Sequence, residues 1–259
     1  MKVVMLSQQD VRRLLDHDRL LEALEEGFRA ISSGSVDVPP RVAANTPSGL
    51  LGAMAGYAPG LGLATKLVSV FPGNHGSALP SHQALICLFD PDNGSPIAIM
   101  DGTYVTAIRT AGAAAVSVRH LARPQARVLA IIGAGVQGAA HLDMLPRVRD
   151  FNEIRIASRT PASAAALAGA ASGKGIAVTA VESYEFAVRG ADVVALCTHS
   201  GEPVVRREWL SPGTHVTSVG FAPPRGELDP RIAEEGRLFV ESRAAAFQPP
   251  PVGCAELVG

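Results

Sequence analysis

The fold of this chain is decided near its middle, where the sequence reads Val128-Leu129-Ala130-Ile131-Ile132-Gly133-Ala134-Gly135-Val136-Gln137-Gly138. The first five residues form a continuous apolar run, which is typical of a strand buried on both faces of a parallel sheet. The next six fit the pattern G-x-G-x-x-G and lead into a helical stretch. A strand, a glycine loop and a helix in this order predict the first turn of a doubly wound α/β domain.

The glycine pattern occurs by chance in many loops, and its place between a strand and a helix is what gives it weight. Gly133 permits the tight turn, Gly135 lets the backbone approach a pyrophosphate, and Gly138 allows the helix to pack closely on the strand. The N-terminus of the helix offers N–H groups and a favourable dipole to an anion. We therefore predict a dinucleotide site formed by Gly133, Ala134, Gly135, Val136, Gln137 and Gly138.

The choice between the two nicotinamide dinucleotides depends on the end of the next predicted strand, which is followed by Ser158-Arg159-Thr160. NAD-preferring sites usually carry an acid here that bonds the ribose 2′-hydroxyl. This chain has no acid at that point, and a cation with two hydroxyls suits a 2′-phosphate. We predict NADP(H) as the cofactor, with NAD(H) as the alternative. The alternative explanation is that Arg159 is an ordinary solvated arginine on the surface.

The two sides of the boundary near residue 122 follow different patterns. Beyond it, short apolar runs alternate with helical or loop segments, which indicates a parallel sheet with strands at residues 128–132, 154–157, 177–179, 193–197, 215–219 and 238–240. Before it, two helices precede antiparallel strands within residues 41–101, and a third helix follows. We predict an N-terminal α+β domain at residues 1–122 and a Rossmann domain with a doubly wound parallel sheet at residues 123–259.

Composition narrows the class of protein. The 259 residues carry a net charge of -1, which gives no general attraction to nucleic acid or to an anionic membrane surface. The apolar run at the N-terminus is too short for a signal peptide, and no later run approaches the length of a membrane span. The three cysteines lie far apart, and no metal-ligand pattern is present. We expect a cytoplasmic protein without a metal, a nucleic-acid partner or a membrane partner.

Three cations stand out before the glycine loop. Lys66 lies within an otherwise apolar run, where a lysine is rarely buried without a partner. Arg41 follows two prolines, and Arg109 lies on an alanine-rich helix. Taken one at a time, a strand-edge lysine that prevents aggregation and two solvated arginines explain these residues better than a function does.

Several segments taken together resemble the ornithine cyclodeaminase/mu-crystallin family. They are, in chain order, Pro39-Pro40-Arg41, Lys66 with Phe71-Pro72-Gly73-Asn74, His82-Gln83-Ala84, Asp101-Gly102-Thr103, Arg109-Thr110-Ala111, the glycine loop, and Glu227-Leu228-Asp229. The resemblance implies a first domain that also forms a homodimer interface, and a Rossmann domain that holds the nicotinamide in the cleft between the domains. It also places the family's substrate-carboxylate cations on Arg41, Lys66 and Arg109. A carboxylate taken into a cleft needs such paired positive charge.

Two departures from the family bear on function. Cyclodeaminases of the family carry a catalytic aspartate in the loop after the strand ending at Gly220, whereas this chain has no acid between that residue and Glu227. The family's chains usually continue beyond the Rossmann half with helices that return to the first domain, whereas this sequence stops at Gly259. We expect no cyclisation chemistry from the first departure. From the second we expect a shortened form, with a weakened domain interface and an incomplete cleft.

These observations lead to the hypothesis of an NAD(P)H-dependent oxidoreductase that reduces a small α-imino acid such as Δ1-pyrroline-2-carboxylate. Lys66, with its pKa depressed by the neighbouring arginines, would be the catalytic residue that supplies or relays a proton. Within the family, the alternatives are alanine dehydrogenase and ornithine cyclodeaminase, the latter with Glu227 or Asp229 as its base. The alternative from another class is a non-catalytic, crystallin-like binding protein.

Overall fold

The computed structural model describes residues 2–74, 77–171, 175–220, 222, 224–248, 254 and 257. The chain divides into two compact units, Met1–Arg109 and Thr110–Gly259. The dividing point lies within the helix formed by Thr103–Leu121, whereas the sequence places the boundary after that helix, between residues 122 and 123. The helix is one uninterrupted segment of 19 residues, so its sequence contains no break that marks the division.

The first unit contains a six-stranded sheet. Its elements are β1 (Val4–Leu6), α1 (Gln8–Leu14), α2 (His17–Ser33), β2 (Val42–Thr46), β3 (Gly49–Ala58), β4 (Gly62–Val70), β5 (His82–Phe89), β6 (Pro96–Asp101) and the beginning of α3 (Thr103–Leu121). The strand order is β1-β6-β5-β4-β3-β2, and all neighbours are antiparallel except the parallel pair β1 and β6. The antiparallel region predicted for residues 41–101 is confirmed, and β1 is an addition that the sequence does not predict.

Side chains of the turn itself fix the hairpin between β5 and β6. Asp90 Oδ1 accepts hydrogen bonds from the backbone N–H groups of Asp92 (2.8 Å) and Asn93 (3.3 Å). The Asn93 side-chain amide donates to Asp90 Oδ2 at 3.0 Å. Gly94 then adopts a φ of 76°, a left-handed conformation that favours glycine. These contacts reverse the chain where the sequence predicts a turn.

The two faces of the first sheet differ in exposure. One face presents exposed apolar side chains from four of the strands and from β1, namely Met5, Val42, Leu51, Tyr57, Leu85 and Ile97. On the opposite face Gly52, Ala84 and Ala98 are buried. Lys66 belongs to this second face, because side chains alternate along a strand and the neighbouring Val68 pairs with both Gly52 and Ala84. The lysine is therefore on the covered side of the sheet.

The second unit contains a five-stranded parallel sheet. Its elements after α3 are β7 (Val128–Ile132), α4 (Val136–Met144), β8 (Glu153–Ala157), α5 (Pro161–Ala170), β9 (Ala177–Ala180), α6 (Tyr184–Val188), β10 (Val193–Leu196), β11 (His215–Ser218), α7 (Pro230–Glu235) and α8 (Arg243–Ala246). The order β11-β10-β7-β8-β9 confirms the doubly wound α/β fold. Among the described helices of the whole chain, none is both long and apolar enough to cross a membrane.

The strand predicted at residues 238–240 is wrong. This segment has no regular secondary structure, and Leu238 and Phe239 are exposed. In the described part of the chain the sheet ends at β11, so no neighbouring strand is available to pair with these residues. An apolar run becomes a strand only where a neighbour satisfies its backbone N–H and C=O groups, and the sequence of the run does not carry that information.

The centre of the second unit is β7. Leu129, Ala130, Ile131 and Ile132 are all 0% exposed, which explains why this strand is apolar at every position instead of every second one. At the amino ends of the strands, hydrogen bonds to Asp192 connect β7 with the segment before β10. Its Oδ2 accepts from the backbone N–H groups just before and at the start of β7, and its Oδ1 accepts from the Arg123 guanidinium at 2.7 Å.

Candidate functional site

Two glycines of the predicted dinucleotide loop are required by the packing of the protein itself. The loop joins β7 to α4, and Gly133 adopts a φ of 110°. A Cβ at Gly133 would lie 2.5 Å from the carbonyl oxygen of Cys197, and a Cβ at Gly138 would overlap the carbonyl oxygen of Gly133. The first and third glycines therefore allow the loop and α4 to lie directly against neighbouring backbone.

Gly135 is different, because the fold gives no reason for a glycine there. Its φ of -86° suits any residue, and no described atom lies within 4 Å of the position its Cβ would take. Gly135 is the N-cap of α4, and no described side chain caps this helix end. The next residue, Val136, is 74% exposed, while Ala134 and Gln137 are half-buried. A ligand anion that approaches the bare helix N-terminus does give a reason for the glycine.

The histidine on α4 adds no charge to this helix end. His141 is 0% exposed, and its Nδ1 donates to the backbone carbonyl of Gln137 at 2.8 Å. Burial lowers the pKa of His141 to about 4. The imidazole is therefore neutral near pH 7, and an anion at the N-terminus of α4 would be held by backbone N–H groups and the helix dipole.

The predicted 2′-phosphate residues follow directly on β8. Ser158 is half-buried, and its Oγ accepts a hydrogen bond from the backbone N–H of Thr160 at 3.4 Å. Arg159 and Thr160 are exposed. Arg159 makes no hydrogen bond or ion pair with any residue that the structure describes. The guanidinium is thus available at the carboxyl end of the strand next to the glycine loop.

The strand order places the glycine loop where doubly wound sheets bind ligands. From β7 the chain continues to β8 and β9 on one side, and later returns to β10 and β11 on the other side. The direction of winding reverses between β7 and β10, and ligands bind outside the carboxyl ends of the strands at such a point. The loop after β7 and the segment after β10 border this point, since Gly133 lies against the carbonyl of Cys197.

The two acids considered as alternative bases both bind the backbone. Asp229 caps α7 by accepting from the N–H of Arg231 at 3.1 Å, and it also accepts from the N–H of Arg207 at 2.9 Å. Glu227 is buried and accepts from the N–H groups of Thr198 and Gly220, both at 2.6 Å. In the preceding segment, which contains no acid, Phe221 and Pro223 lie outside the described residues.

The sequence does not single out Thr198, Ser218 or Gly220, the three partners of Glu227. Ser218 ends β11, while Thr198 and Gly220 each lie two residues beyond the end of a strand. The one signal that could have indicated them is this position, because functional residues of doubly wound sheets concentrate at the carboxyl ends of strands.

The first unit brings the three predicted cations within electrostatic range of one another. Lys66 lies on β4 and is half-buried, Arg109 is half-buried on α3, and Arg41 is exposed just before β2. The pKa of Lys66 is lowered to about 8 by burial and by the positive charges of Arg109 and Arg41, in that order of size. The predicted depression of this pKa is confirmed, with burial as the larger cause and the arginines as the smaller one.

Comparison with known proteins gives a consistent set of relatives. The model of the ornithine cyclodeaminase/mu-crystallin family matches residues 1–252. The ketimine reductase mu-crystallin of Rattus norvegicus is 38% identical over 232 residues, which cover 88% of this chain and 73% of that protein. The Thermococcus litoralis Δ1-pyrroline-2-carboxylate reductase, solved with NADH and L-proline, superposes with a TM-score of 0.82 at 35% identity and covers 88% of this chain and 72% of its own.

A second solved structure is similarly close. An archaeal alanine dehydrogenase dimer with bound NAD superposes with a TM-score of 0.85 at 34% identity, covering 90% of this chain and 72% of its own. All three proteins carry names of redox enzymes, and the two structures contain a nicotinamide dinucleotide.

The contrast between the glycines gives a testable prediction. Gly135→Ala should leave the free energy of unfolding within about 1 kcal/mol of the parent, because the backbone conformation and the surrounding space accept a methyl group. The same variant should bind NADH at least roughly tenfold more weakly, because the methyl group lies where a pyrophosphate would approach. Denaturant unfolding and fluorescence titration with NADH measure the two effects.

Gly138→Ala is the matched control. Its methyl group meets backbone in the folded protein, so it should lose roughly 1–3 kcal/mol of stability whether or not a ligand is present. Parent-like NADH binding by Gly135→Ala would contradict the assignment of Gly135 to the cofactor.

Proposed function

The chain belongs to the ornithine cyclodeaminase/mu-crystallin family, and on that premise we propose that it reduces a small α-imino acid, such as Δ1-pyrroline-2-carboxylate, with a reduced nicotinamide dinucleotide. The observation that carries the proposal is the electrostatic coupling of Lys66 with Arg109 and Arg41. A half-buried lysine with two arginines within electrostatic range attracts an anion, and the carboxylate of an imino acid would supply it.

The residues of the glycine loop fit a dinucleotide. The N-terminus of α4 would hold the pyrophosphate, and the absence of a side chain at Gly135 leaves room for it. With the dinucleotide bound in this way, its reduced nicotinamide would be the source of the hydride that the imine carbon receives. The protein's own contribution is to bind the anionic parts of both reactants and to supply the proton that reduction of an imine also requires.

Lys66 is suited to supply that proton. Its pKa of about 8 means that Nζ is mostly protonated near pH 7 yet gives up its proton more easily than an ordinary lysine. The chain contains only three lysines among its 23 lysine and arginine residues. Arginine would bind a carboxylate as well or better but stays protonated, so a lysine at this position favours a role in proton transfer.

The proposal extends to a preference for NADP(H). A 2′-phosphate needs a cation and hydroxyl donors at the carboxyl end of β8, and Arg159 lies there, exposed and with no partner among the described residues. Ser158 and Thr160 add hydroxyls on either side. An acid in this position would repel the phosphate, and the chain has none.

Cyclisation of ornithine is disfavoured. That reaction needs a base near the reacting amine. Both carboxylate oxygens of Glu227 and of Asp229 accept hydrogen bonds from backbone N–H groups, which makes these acids poor candidates for the base. Reduction of an imine needs only a hydride and a proton, so it does not depend on a further acid.

We also infer that the protein forms a homodimer through the exposed apolar face of the first sheet. The archaeal alanine dehydrogenase that resembles this chain is described as a dimer, and several exposed large apolar side chains on one sheet face, including Val42, Leu51 and Leu85, favour an interface there. The occupant proposed for this face is a second copy of the chain.

Light scattering tests the dimer. The parent should have a mass of twice 26.8 kDa at micromolar concentration. Leu51→Glu with Leu85→Glu should give monomers, because two buried charges per copy are costly in an apolar interface. Leu79→Glu, at a leucine that is 59% exposed outside the strands, should remain dimeric. A monomeric parent would contradict the inference.

Arg159→Ala tests the cofactor preference. Loss of a charged hydrogen bond to the 2′-phosphate should weaken NADPH binding by about 10- to 100-fold, while NADH binding should barely change. Fluorescence titration measures both affinities. Arg189→Ala is the control, because Arg189 is also exposed but precedes β10 at the opposite edge of the sheet. An equal loss for both cofactors, or none for either, would rule out the phosphate role.

The reaction itself is tested by following NADPH oxidation with Δ1-pyrroline-2-carboxylate and ammonia release from ornithine on one preparation. We expect the first and little or none of the second. Lys66→Met should abolish turnover but leave NADPH binding intact. Arg109→Lys should also be costly, since a point charge cannot replace a bidentate guanidinium.

Lys66→Arg separates charge from proton transfer. It should retain substrate binding but lose most of kcat, because a guanidinium does not release its proton. In the parent, turnover should fall as the pH rises through about 8, where Lys66 loses its proton, and Lys66→Arg should lack this limb. Robust ammonia release from ornithine would overturn the assignment, and cofactor binding with no turnover of either substrate would favour a non-catalytic protein.

A further inference from the structure

Glu227 accepts four hydrogen bonds at the carboxyl ends of the strands of the second sheet. It is 0% exposed. Its Oε2 accepts from the backbone N–H and the hydroxyl of Thr198, at 2.6 and 2.7 Å. Its Oε1 accepts from the backbone N–H of Gly220 at 2.6 Å and from the hydroxyl of Ser218 at 3.1 Å. Each carboxylate oxygen therefore accepts two hydrogen bonds.

Burying a carboxylate among uncharged donors costs free energy, because the charge loses its contact with water. All four donors are uncharged, and no cation within the described ranges forms an ion pair with Glu227. Burial raises the pKa of the carboxyl group, while the hydrogen bonds act in the opposite direction. A buried carboxylate without a cation beside it is tolerated only where hydrogen bonds offset the cost of removing it from water. We infer that the Glu227 carboxylate is kept because its hydrogen bonds hold the surrounding loops in a required arrangement.

The bonds of Glu227 join two loops that belong to neighbouring strands. Thr198 follows β10 and Gly220 follows β11, and the two strands are adjacent in the parallel sheet. A Cβ at Gly220 would lie 2.5 Å from Glu227 Oε1, so the carboxylate rests directly on the backbone there. The Glu227 carboxylate therefore lies between the two loops, and its hydrogen bonds to both fix their spacing.

Of these two loops, the one after β10 lies against the glycine loop. The carbonyl of Cys197, one residue before Thr198, lies against Gly133 at the start of the glycine loop. On the other side of β7, β8 leads to Ser158 and Arg159, which are proposed for the adenosine ribose. A dinucleotide whose pyrophosphate lies over β7 extends its second half toward β10 and β11. Glu227 is therefore on the nicotinamide side.

We propose that Glu227 is a positioning residue, whose carboxylate holds the loops after β10 and β11 in the arrangement that receives the nicotinamide half of the dinucleotide. The proposal rests on the proposed use of a nicotinamide dinucleotide. A different role would be a purely structural one, in which the same bonds only attach the segment before α7 to the sheet, as does the bond from Val204 N–H to the Glu227 carbonyl.

Binding of two ligands separates these roles without any need for turnover. ADP-ribose contains the adenosine, the pyrophosphate and the second ribose of NADH but lacks the nicotinamide. Glu227→Gln preserves the size of the side chain, but its amide nitrogen cannot accept hydrogen bonds, so one of the two loops loses its acceptor. The variant should bind NADH roughly tenfold more weakly and bind ADP-ribose within about twofold of the parent.

Asp192→Asn is the matched control. Asp192 also accepts from two backbone N–H groups and a side chain, but at the amino ends of the strands, away from the glycine loop. It should lose stability without a change in the ratio of NADH to ADP-ribose affinity. Hydrogen exchange of the free proteins adds a second readout, since the amides of Thr198 or Gly220 should lose protection only in Glu227→Gln.

If the parent is active, separate measurement of kcat and KM completes the test. Glu227→Gln should lower kcat about tenfold or more and leave KM for the imino acid within about twofold, because the cations of the first unit are untouched. If Glu227→Gln does not fold, Thr198→Val removes a single hydroxyl and should still weaken NADH more than ADP-ribose. Equal affinities for parent and variant, or equal loss of both ligands, would overturn the positioning role. Failure of the parent to reduce imino acids would count against the proposed reaction and leave the ligand comparison standing.

Discussion

Direct contact between backbone segments at the carboxyl edge of the second sheet is the constraint on which the candidate site depends. Gly133 lies against Cys197, and Gly138 lies against Gly133, so the glycine loop, α4 and the end of β10 meet without side chains between them. The contact brings the N-terminus of α4 to the point where the winding of the sheet reverses. A substituent at either glycine would move the helix end and with it the anion site. The free space at Gly135 can receive an anion only because the close contacts of Gly133 and Gly138 hold the loop in place.

Much of the fold could be predicted because its signals are local. The buried run of residues 128–132, the turn at Asp90 and the alternation of strands and helices after residue 123 each follow from adjacent residues. The failures concern pairing. β1 has three residues and exists because β6 is beside it, whereas residues 238–240 are equally apolar and have no neighbouring strand in the part of the chain that the structure describes. Periodicity describes what a segment could do, and the partner decides whether it becomes a strand.

Some residues of the candidate site could likewise be predicted from local sequence, and others could not. The glycine loop and Arg159 are visible in the sequence because each occupies a fixed position relative to a strand. Lys66 is visible because a charge interrupts an apolar run, although its coupling to Arg41 and Arg109 depends on residues far apart in the chain. The contacts of Glu227 could not be predicted, because an acid before a helix usually lies in solvent or caps that helix. Only the structure shows that Asp229 provides the cap and that Glu227 turns inward.

The parallel pairing of β1 with β6 sets an order of assembly during synthesis. Strands β2 to β6 each pair with the strand next to them in the chain, so they can join one after another as the chain leaves the ribosome. β1 pairs Val4 with Ala98, and it therefore has no partner until about a hundred residues have been made. Closing so long a loop is slow compared with forming a hairpin. The edge of β6 thus stays open until the last step of sheet formation, and a nascent chain halted before that step exposes an unpaired strand to its neighbours.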